Sequence, residues 1–530
     1  MNDHKLPYSH GESDQAGAGL AEENLLHRGA PTQMTISPID LTIVALYVCV
    51  MLGIGYYVFK KSPNLEEYLL AGRSMTTPIL VCTLASTYYG LDVLFGTSEI
   101  GFNDGVVAFF GYSELSLGFY IFAAYGLSRK LKQARFTSLP EILSRSYGAS
   151  AGYLGAVSSI LFSIPALSLF ALGRLSYVML GIDAQIGALL LGSIALIYTL
   201  WGGLWAVAIT DTVQFVFMCI TLAIAVPLLM SQVGGFETVA ANVPSTHFDL
   251  LGGIPFWLMV AYAATGISIL VDPAFYQRIF AAKSFSQVRN AMLIALVVWG
   301  AYDWLVTAAG MLARTGVELG TLPAGLHSND ALLTAVVMAL PVGLVGFFLA
   351  GVLATSMSTI DSYCLVAGGN FSYDLYRPLL KPDASDQELV RATKIGIGIS
   401  WVLGFLLAFL FDRLMSLWVF NASLLTSTVL VPLFMSLFWK GRKTPAAGVS
   451  SFLFGMVSVI IYYFGIAQLG SYDDTWGTYI WTVEIGGNPY ALWQEYALFF
   501  SLPISFVGFL VGNVFGTPLT PSAETVEVAP

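Results

Sequence analysis

Long apolar runs recur along almost the whole chain, and they limit the possible folds more than any other feature. Runs of about 18 or more apolar residues, the length needed to cross the hydrocarbon core of a bilayer, recur from Ile36 to the C-terminal region. Only 11% of the residues are charged and 56% are hydrophobic, so a soluble domain could not cover its surface with polar groups. The sequence therefore predicts an all-α polytopic membrane protein embedded in a lipid bilayer.

The runs predict about thirteen transmembrane helices. Their approximate bounds are 38–59, 76–100, 105–127, 149–180, 185–200, 204–233, 252–279, 288–313, 331–376, 392–411, 414–438, 445–467 and 493–515. The tail before them, residues 1–35, is polar and mixed in charge and is predicted to be disordered. It lacks the apolar run of roughly seven or more residues that a signal peptide needs.

The lysines and arginines lie mostly in alternate loops, and this asymmetry predicts the orientation of the chain. Five loops carry 18 of the 23 basic residues. They are 60–75, 128–148, 278–290, 377–394 and 440–443. Because cytoplasmic loops carry the excess of positive charge, these loops should face the cytoplasm. The N-terminus is then outside, and residues 516–530 form a cytoplasmic tail. We expect a multi-pass protein of the bacterial inner membrane that functions as a monomer.

Several classes of function find no support in the composition. The net charge of −10 gives no indication of a nucleic-acid partner. The four cysteines stand singly in apolar runs, so they imply neither a disulfide nor a metal site. All five histidines fall in the outer tail or in loops, so none can serve as a proton relay at the bilayer midplane, which favours a metal cation over a proton if an ion binds there. No nucleophile and base lie near each other, and enzymatic activity is not expected.

The stretch ATSMSTIDSYCL places polar groups inside an otherwise apolar run. An isolated charge at that depth costs roughly 2.5 to 3.5 kcal/mol on insertion scales. The residues that share one face of a helix are Thr355, Ser358, Thr359 and Ser362, with Asp361 beside them. Unhydrated alkali and alkaline-earth cations prefer such hard oxygen ligands. Alternatively, the hydroxyls bond backbone carbonyls or join neighbouring helices.

Two further runs are interrupted in a way that predicts broken helices. In CTLASTYYGLDVLFGTSEIGF, residues 82–102, two glycines flank Asp92. In AYAATGISILVDPAFYQR, residues 261–278, Gly266 and Pro273 bracket a run with polar side chains. The two runs lie five predicted spans apart. Paired interruptions of this kind are typical of inverted-repeat transporters, in which unwound backbone supplies carbonyls near the bilayer midplane.

Four motifs, in this order and spacing, resemble the sodium:solute symporter family, which includes bacterial proline, galactose and sialic acid carriers. The motifs are YTLWGGLWAVAITDTVQ at 198–214, DPAFYQRIFAAKS at 272–284, ATSMSTIDS at 354–362 and YDLYRP at 373–378. The resemblance runs from about residue 38 to about residue 466. It implies a LeuT-type core of five plus five inverted helices. The implied parts are a peripheral helix at 36–60, repeats at 76–233 and 252–438, and two peripheral helices at 443–515.

The resemblance also implies a principal sodium site. By motif alignment, its backbone carbonyls fall on Ala85, Tyr88 and Thr355, and its hydroxyls fall on Ser358 and Thr359. The two hydroxyls belong to the polar helix face described above. Na⁺ is therefore the expected coupling ion.

Some family members have a second sodium site nearer the cytoplasm, which uses the aspartate of the TD pair. Here that residue is Asp211, eight residues beyond Gly203 and thus roughly 12 Å along a helix. Its expected companions are Ser358, Asp361 and Ser362, whereas the family's version of the site is rich in serine. Asp211 could instead cap or bond a neighbouring helix.

The resemblance further implies a solute pocket at the broken helices. The residues that align with solute-contacting positions are Leu91, Asp92, Thr265, Ser268 and Ile269, and Glu114 comes close to another such position. Leu91 stands where proline carriers have a tryptophan, and the polar amides of sugar carriers are not evident. The first difference disfavours proline as the solute, and the second disfavours a hexose.

Asp92 leads to a hypothesis about the solute. A carboxylate near the midplane is by default functional and paired, and no Lys or Arg is expected at a comparable depth. We therefore expect sodium-coupled import of a small solute with a cationic nitrogen, such as an amino acid or an amine. The alternatives are a neutral solute or an organic anion, such as a sugar, sialic acid or a monocarboxylate. A sensor is less expected because the chain ends about 15 residues after its last predicted helix. A channel is less expected because a closed pocket suits alternating access.

Overall fold

The computed structural model describes residues 36–58, 64–409, 414–473 and 478–518. Helices make up most of these residues, which confirms the predicted helical membrane fold. The predicted tail 1–35 and most of the predicted tail 516–530 lie outside the described residues.

Ten helices in the described ranges are long and apolar enough to cross a membrane. They are Pro38–Val58, Ala149–Tyr177, Ala184–Gln232, Phe256–Ala281, Phe285–Glu318, Leu344–Leu380, Asp386–Ala408, Trp418–Phe438, Pro445–Leu469 and Gln494–Phe515. A bent pair, Thr77–Tyr88 and Val93–Asp104, forms an eleventh span. Another helical stretch follows it as Ala108–Ser113, Glu114–Phe122, Ala123–Leu127 and Ser128–Gln133. Shorter helices between the spans are Leu65–Leu70, Leu139–Tyr147, Phe236–Asn242 and Ser328–Ala339.

Ala184–Gln232 contains two of the predicted spans. Its 49 residues give a length of roughly 70 Å at 1.5 Å per residue, about twice the thickness of the hydrocarbon core. Gly203 interrupts the helix with φ 58° and ψ −148°. A Cβ atom at this position would lie 2.3 Å from the carbonyl oxygen of Tyr68, so only glycine fits the break. If Gly203 divides this helix into two spans and the helical stretch 108–133 counts as one more, the structure fits the predicted number of thirteen.

Two predicted spans are divided in the structure. The predicted span 149–180 consists of helices Ala149–Phe162 and Ala166–Leu180, because Pro165 lies in the connection between them. The predicted span 331–376 is wrong at its start, where the separate helix Ser328–Ala339 precedes Leu344. Proline and a glycine with positive φ in the sequence LPVGL end the first helix before the second begins.

The all-helical prediction missed one small antiparallel sheet. Its strands are β1 (Ser471–Asp473), β2 (Thr478–Ile485) and β3 (Asn488–Trp493), in the order β1-β2-β3. Ile485 pairs with Asn488 across the two-residue turn Gly486-Gly487. Both glycines have positive φ, 61° and 81°, as a type I′ hairpin turn requires.

Both predicted interruptions are present in the structure. The first broken helix consists of Thr77–Tyr88 and Leu91–Asp104, and the two halves are bent by 59°. The second broken helix consists of Phe256–Thr265 and Pro273–Ala281, separated by the 3₁₀ turn Gly266–Leu270. Asp272 caps its second half by accepting the N–H groups of two following residues at 2.7 and 3.1 Å.

The central helix, Leu344–Asn370, is buried along almost its whole length. It packs against Ala184–Gln232, Pro38–Val58 and the first broken helix. Its N-terminus is held by Asp40, whose carboxylate accepts the N–H groups of Gly343 and Gly346 at 2.7 and 2.6 Å. A residue of the first peripheral helix therefore fixes the position of the helix that carries the predicted ion ligands.

The two broken helices are joined at one end by main-chain hydrogen bonds. The N–H of Met75 donates to the carbonyl of Ala281 at 3.1 Å, and the N–H of Lys283 donates to the carbonyl of Met75 at 2.9 Å. Lys132 donates to the carbonyl of Ala282 beside this bridge. The segment before the first broken helix is therefore tied to the segment after the second.

Candidate ion-binding site

The polar stretch of the central helix faces protein on all sides. Thr355, Ser358, Asp361 and Ser362 are fully buried, and Thr359 is 7% exposed. The bilayer therefore does not solvate these groups, and each must find a partner inside the protein.

Ser358 and Thr359 reach the break of the first broken helix. The hydroxyl of Ser358 donates to the carbonyl of Ser86 at 2.8 Å, and the hydroxyl of Thr359 donates to the carbonyl of Thr87 at 3.3 Å. Carbonyls in the last turn of a helix have no intrahelical partner, so they are available to such donors. The break and the hydroxyl face of the central helix thus form one cluster of oxygen atoms.

The three carbonyls predicted as sodium ligands each accept a hydrogen bond, but only that of Thr355 accepts the hydroxyls of Ser358 and Thr359. The carbonyl of Ala85 accepts the N–H of Tyr89 at 3.1 Å and the indole N–H of Trp299 at 3.4 Å. The carbonyl of Tyr88 accepts the N–H of Gly90 at 3.1 Å. The carbonyl of Thr355 accepts hydroxyls at 3.1 and 3.2 Å from the two predicted hydroxyl ligands. Carbonyl and hydroxyl oxygens are ligands that fit a sodium ion. Trp299 was not predicted from the sequence.

Asp211 lies in a second buried cluster, next to the first broken helix. One carboxylate oxygen accepts the hydroxyl of Thr83 and lies 3.7 Å from Nη2 of Arg278. The other oxygen has no hydrogen-bond partner among the described residues. Asp211 is therefore only partly satisfied by the side chains around it.

The observed position of Arg278 contradicts two expectations from the sequence. It was placed in a cytoplasmic loop, but the structure buries its side chain to 1% exposure on Pro273–Ala281. The expectation of no Lys or Arg near the depth of the polar stretch is therefore wrong. Nη2 donates to the hydroxyls of Ser362 and Thr87 at 2.5 and 3.0 Å. The guanidinium thus lies among the side chains predicted to hold a second sodium ion.

Asp361 belongs to the same region but has different partners. It accepts the phenol of Tyr198 at 2.8 Å and the hydroxyl of Ser362 at 3.2 Å. The side-chain amide of Gln214 donates toward Tyr198 at 3.5 Å, and the amide oxygen of Gln214 has no partner in the described ranges. Asp211 and Asp361 therefore lie in one buried region with the guanidinium of Arg278.

Four of the residues predicted to contact solute lie at the two breaks. Leu91 begins the second half of the first broken helix and is fully buried. Thr265, Ser268 and Ile269 lie at the break of the second broken helix, where the hydroxyl of Thr265 donates to a carbonyl one turn earlier. Asp92 and Glu114 also lie on helices near the breaks, but their side chains are outside the described residues.

A small cavity lies between the two breaks. Its lining includes Thr87, Ile269, Asp272, Arg278 and Tyr363. The hydroxyl of Tyr363 donates to Asp272 at 2.8 Å across it. The cavity has room for about one water molecule, so a solute can enter only after the surrounding helices move apart.

Comparison with protein families decides the identity of this arrangement. The model of the sodium:solute symporter family matches residues 68–457, almost three quarters of the chain. The chain belongs to the sodium:solute symporter family. It is therefore a sodium-coupled membrane transporter, which confirms the predicted function class and sodium as the coupling ion.

Two bacterial transporters are similar to this family member over most of their length. The osmoregulated proline transporter OpuE of Bacillus subtilis is 24% identical over 443 residues, covering 79% of this chain and 87% of its own. A sodium/proline symporter of Staphylococcus aureus is 26% identical over 463 residues, covering 82% of this chain and 88% of its own.

A solved structure supports the fold. It is described as the substrate-bound outward-open state of a Na⁺-coupled sialic acid symporter, and it matches with a TM-score of 0.78. The match covers 91% of this chain and 99% of the other at 17% sequence identity. This match confirms the fold class predicted for this chain.

Proposed function

We propose that this symporter imports a small organic solute with a cationic nitrogen, such as an amino acid or an amine, together with sodium. The observation that carries the proposal is the pairing of Ser358 and Thr359 with the last-turn carbonyls of the first broken helix. These oxygens come from two separate elements. An ion bound by both elements would therefore fix the position of one relative to the other.

The proposed principal site consists of the carbonyls of Ala85, Tyr88 and Thr355 and the hydroxyls of Ser358 and Thr359. In the described conformation the two hydroxyls donate to backbone carbonyls, and the three carbonyls accept nearby N–H or O–H groups. Binding of an ion would exchange those hydrogen bonds for ion contacts. Because the same break borders the solute pocket, occupancy of the site would alter the pocket, which is the physical basis of coupling.

The charges around the cavity favour an amino acid among the candidate solutes. Asp272 and Arg278 line the same cavity, and an amino acid carries charges complementary to both. The names of the two proline-transporting relatives agree with an amino acid. The name of the sialic acid symporter supports an organic acid as the second candidate. Proposed solute contacts are Leu91, Asp92, Glu114, Thr265, Ser268 and Ile269.

A second sodium site at Asp211, Asp361 and Ser362 remains a proposal. Asp211 and Asp361 share the single guanidinium of Arg278, which leaves at least one negative charge uncompensated that a further cation would neutralise. The ion would share Ser362 with Arg278, or Arg278 would move away from it. We also propose an outside N-terminus, a cytoplasmic C-terminus, a bacterial inner-membrane location and a monomeric working unit.

The proposal is tested by uptake of radiolabelled amino acids, amines and sialic acid into proteoliposomes, with and without a sodium gradient. Ser358→Ala and Thr359→Ala each remove one ligand, so each should raise the sodium concentration for half-maximal uptake. Loss of such a buried partner costs about 1 to 3 kcal/mol, or roughly a 5- to 150-fold change. Ser356→Ala is the matched control, because Ser356 lies on the same helix but donates to the carbonyl of Ser168. Unchanged sodium dependence in a Ser358→Ala/Thr359→Ala double variant would refute the site.

A further inference from the structure

Asp303 is another buried carboxylate, outside both clusters described above. It lies on Phe285–Glu318 and is 5% exposed. Its carboxylate accepts the phenol of Tyr89, which is itself 2% exposed. Tyr89 is the residue at the break of the first broken helix, directly after the carbonyl of Tyr88 that is proposed as a sodium ligand. Asp303 therefore contacts the break from another side.

No cation in the described ranges compensates the charge of Asp303. The ion pairs of those ranges do not include it, and its hydrogen-bond partner is a neutral phenol. The arginines of its own helix are Arg289 and Arg314, which lie at least eleven residues away, roughly 16 Å along the axis. An ionised carboxylate in this position needs a cation, and its presence in a membrane span indicates function.

Thr307 supplies a third oxygen on the same helix face. It lies four residues after Asp303, one helical turn further along, and is 1% exposed. Its hydroxyl has no hydrogen-bond partner within the described part of the chain. A buried hydroxyl without a partner is uncommon because it loses the bonds that water would make, so it points to a missing ligand. This observation is independent of the contact between Asp303 and Tyr89.

We propose that Asp303, Tyr89 and Thr307 bind an alkali cation, distinct from the ion at Ser358 and Thr359. Carboxylate, phenol and hydroxyl oxygens are hard ligands that match Na⁺. The three side chains are almost completely buried, which favours a bare ion over an organic ammonium group, and binding of the ion would replace the hydrogen bond between Tyr89 and Asp303. This proposal rests on the proposed function. It adds a second cation-binding position at the break of the first broken helix.

The test counts sodium ions bound to the purified full-length protein, by equilibrium dialysis with ²²Na⁺ and no solute. Asp303→Asn keeps the shape of the side chain and should lower the count by one ion per protein. Thr307→Val should weaken the same binding step about tenfold. Asp374→Asn is the matched control, since Asp374 is another buried carboxylate and accepts the hydroxyl of Ser138 at 2.7 Å. It should keep the wild-type count. Size-exclusion profiles establish that each variant is folded, and Asp303→Glu should retain the ion if the Asn variant is unstable.

The outcomes separate this proposal from the proposed function. If Asp303→Asn binds as many ions as the wild type, or, where that variant is unstable, if Thr307→Val binds sodium with wild-type affinity, the proposal is overturned, even if uptake falls. In that case, loss of an ion in Ser358→Ala/Thr359→Ala would leave the proposed function standing. A wild-type protein that binds no sodium would overturn both.

Discussion

Neutralising Arg278 should leave the Asp211 carboxylate buried without a cation. Arg278→Met removes the guanidinium but keeps an unbranched side chain in its space, and breaking one partner of a buried ion pair costs about 3 to 5 kcal/mol. The separation of 3.7 Å between Nη2 and the carboxylate is long for an ion pair, and Asp211 keeps its bond from Thr83. We therefore expect the lower end of the range, about 3 kcal/mol of lost unfolding free energy in sodium-free buffer.

Sodium should restore part of this loss, because Asp211 and Ser362 would then be free to bind an ion. At a sodium concentration about 100 times the dissociation constant, binding to the folded state alone stabilises by about 2.7 kcal/mol. Thermal unfolding of the detergent-purified protein, followed by tryptophan fluorescence with sodium or choline chloride, measures the effect. The variant should gain more from sodium than the wild type does.

A double variant provides the control for this interpretation. Arg278→Met/Asp211→Asn removes the carboxylate charge that Arg278 compensated, so the double variant should be more stable than Arg278→Met alone. Two results would contradict this interpretation. Either the destabilising effects of the two substitutions add up, or the unfolding free energy of Arg278→Met lies within about 1 kcal/mol of the wild-type value. In either case, Arg278 does not compensate the charge of Asp211.

Three further predictions concern the framework of the site. Asp40→Ala leaves two N–H groups at the start of the central helix without their acceptor. It should lower the unfolding free energy by about 1 to 2 kcal/mol. In thermal unfolding, Asp40→Asn should be less destabilised than Asp40→Ala because its side-chain oxygen can still accept these bonds. Gly203→Ala should abolish folded protein in size-exclusion profiles because its Cβ meets a carbonyl oxygen at 2.3 Å, while Gly253→Ala, also at positive φ but with open space, should cost only about 1 to 2 kcal/mol. Burial, together with two neighbouring arginines, lowers the pKa of Lys132 to about 8. Between about pH 8 and pH 10.4 the folded protein then holds fewer protons than the unfolded chain, so the wild-type unfolding midpoint should rise with pH relative to Lys132→Met. A constant difference between the two proteins over that range would contradict the depressed pKa.

The sequence predicts the spans and the breaks well because both depend on local chemistry. The length of an apolar run determines whether a helix can cross a bilayer, and glycine or proline determines where it can stop. The hydroxyl face around Ser358 also follows from helical periodicity alone. The partners of that face are a different matter, because Ser86 lies 272 residues away in the chain. The family resemblance indicates that this face meets the first broken helix, but it indicates the carbonyls of Ala85 and Tyr88 rather than that of Ser86.

The errors have physical causes that are specific to particular residues. Arg278 was counted as a loop residue because it follows an apolar run, yet Pro273 starts a new helix that carries it inward. Asp303 was overlooked although an isolated carboxylate in an apolar run is itself a signal of function. The sheet was overlooked although the alternating sequence before Gly486-Gly487 is typical of a hairpin.

The main-chain bridge between Met75 and Ala281 has an evolutionary consequence. Its hydrogen bonds join peptide groups, so a change of side chain at either end leaves them intact, and only proline would remove a donor. Mutations in the two broken helices can therefore remodel the pocket while the helices remain tied as one mechanical unit. A scaffold of this kind allows solute preference to diverge among descendants while the machinery of ion coupling is inherited unchanged.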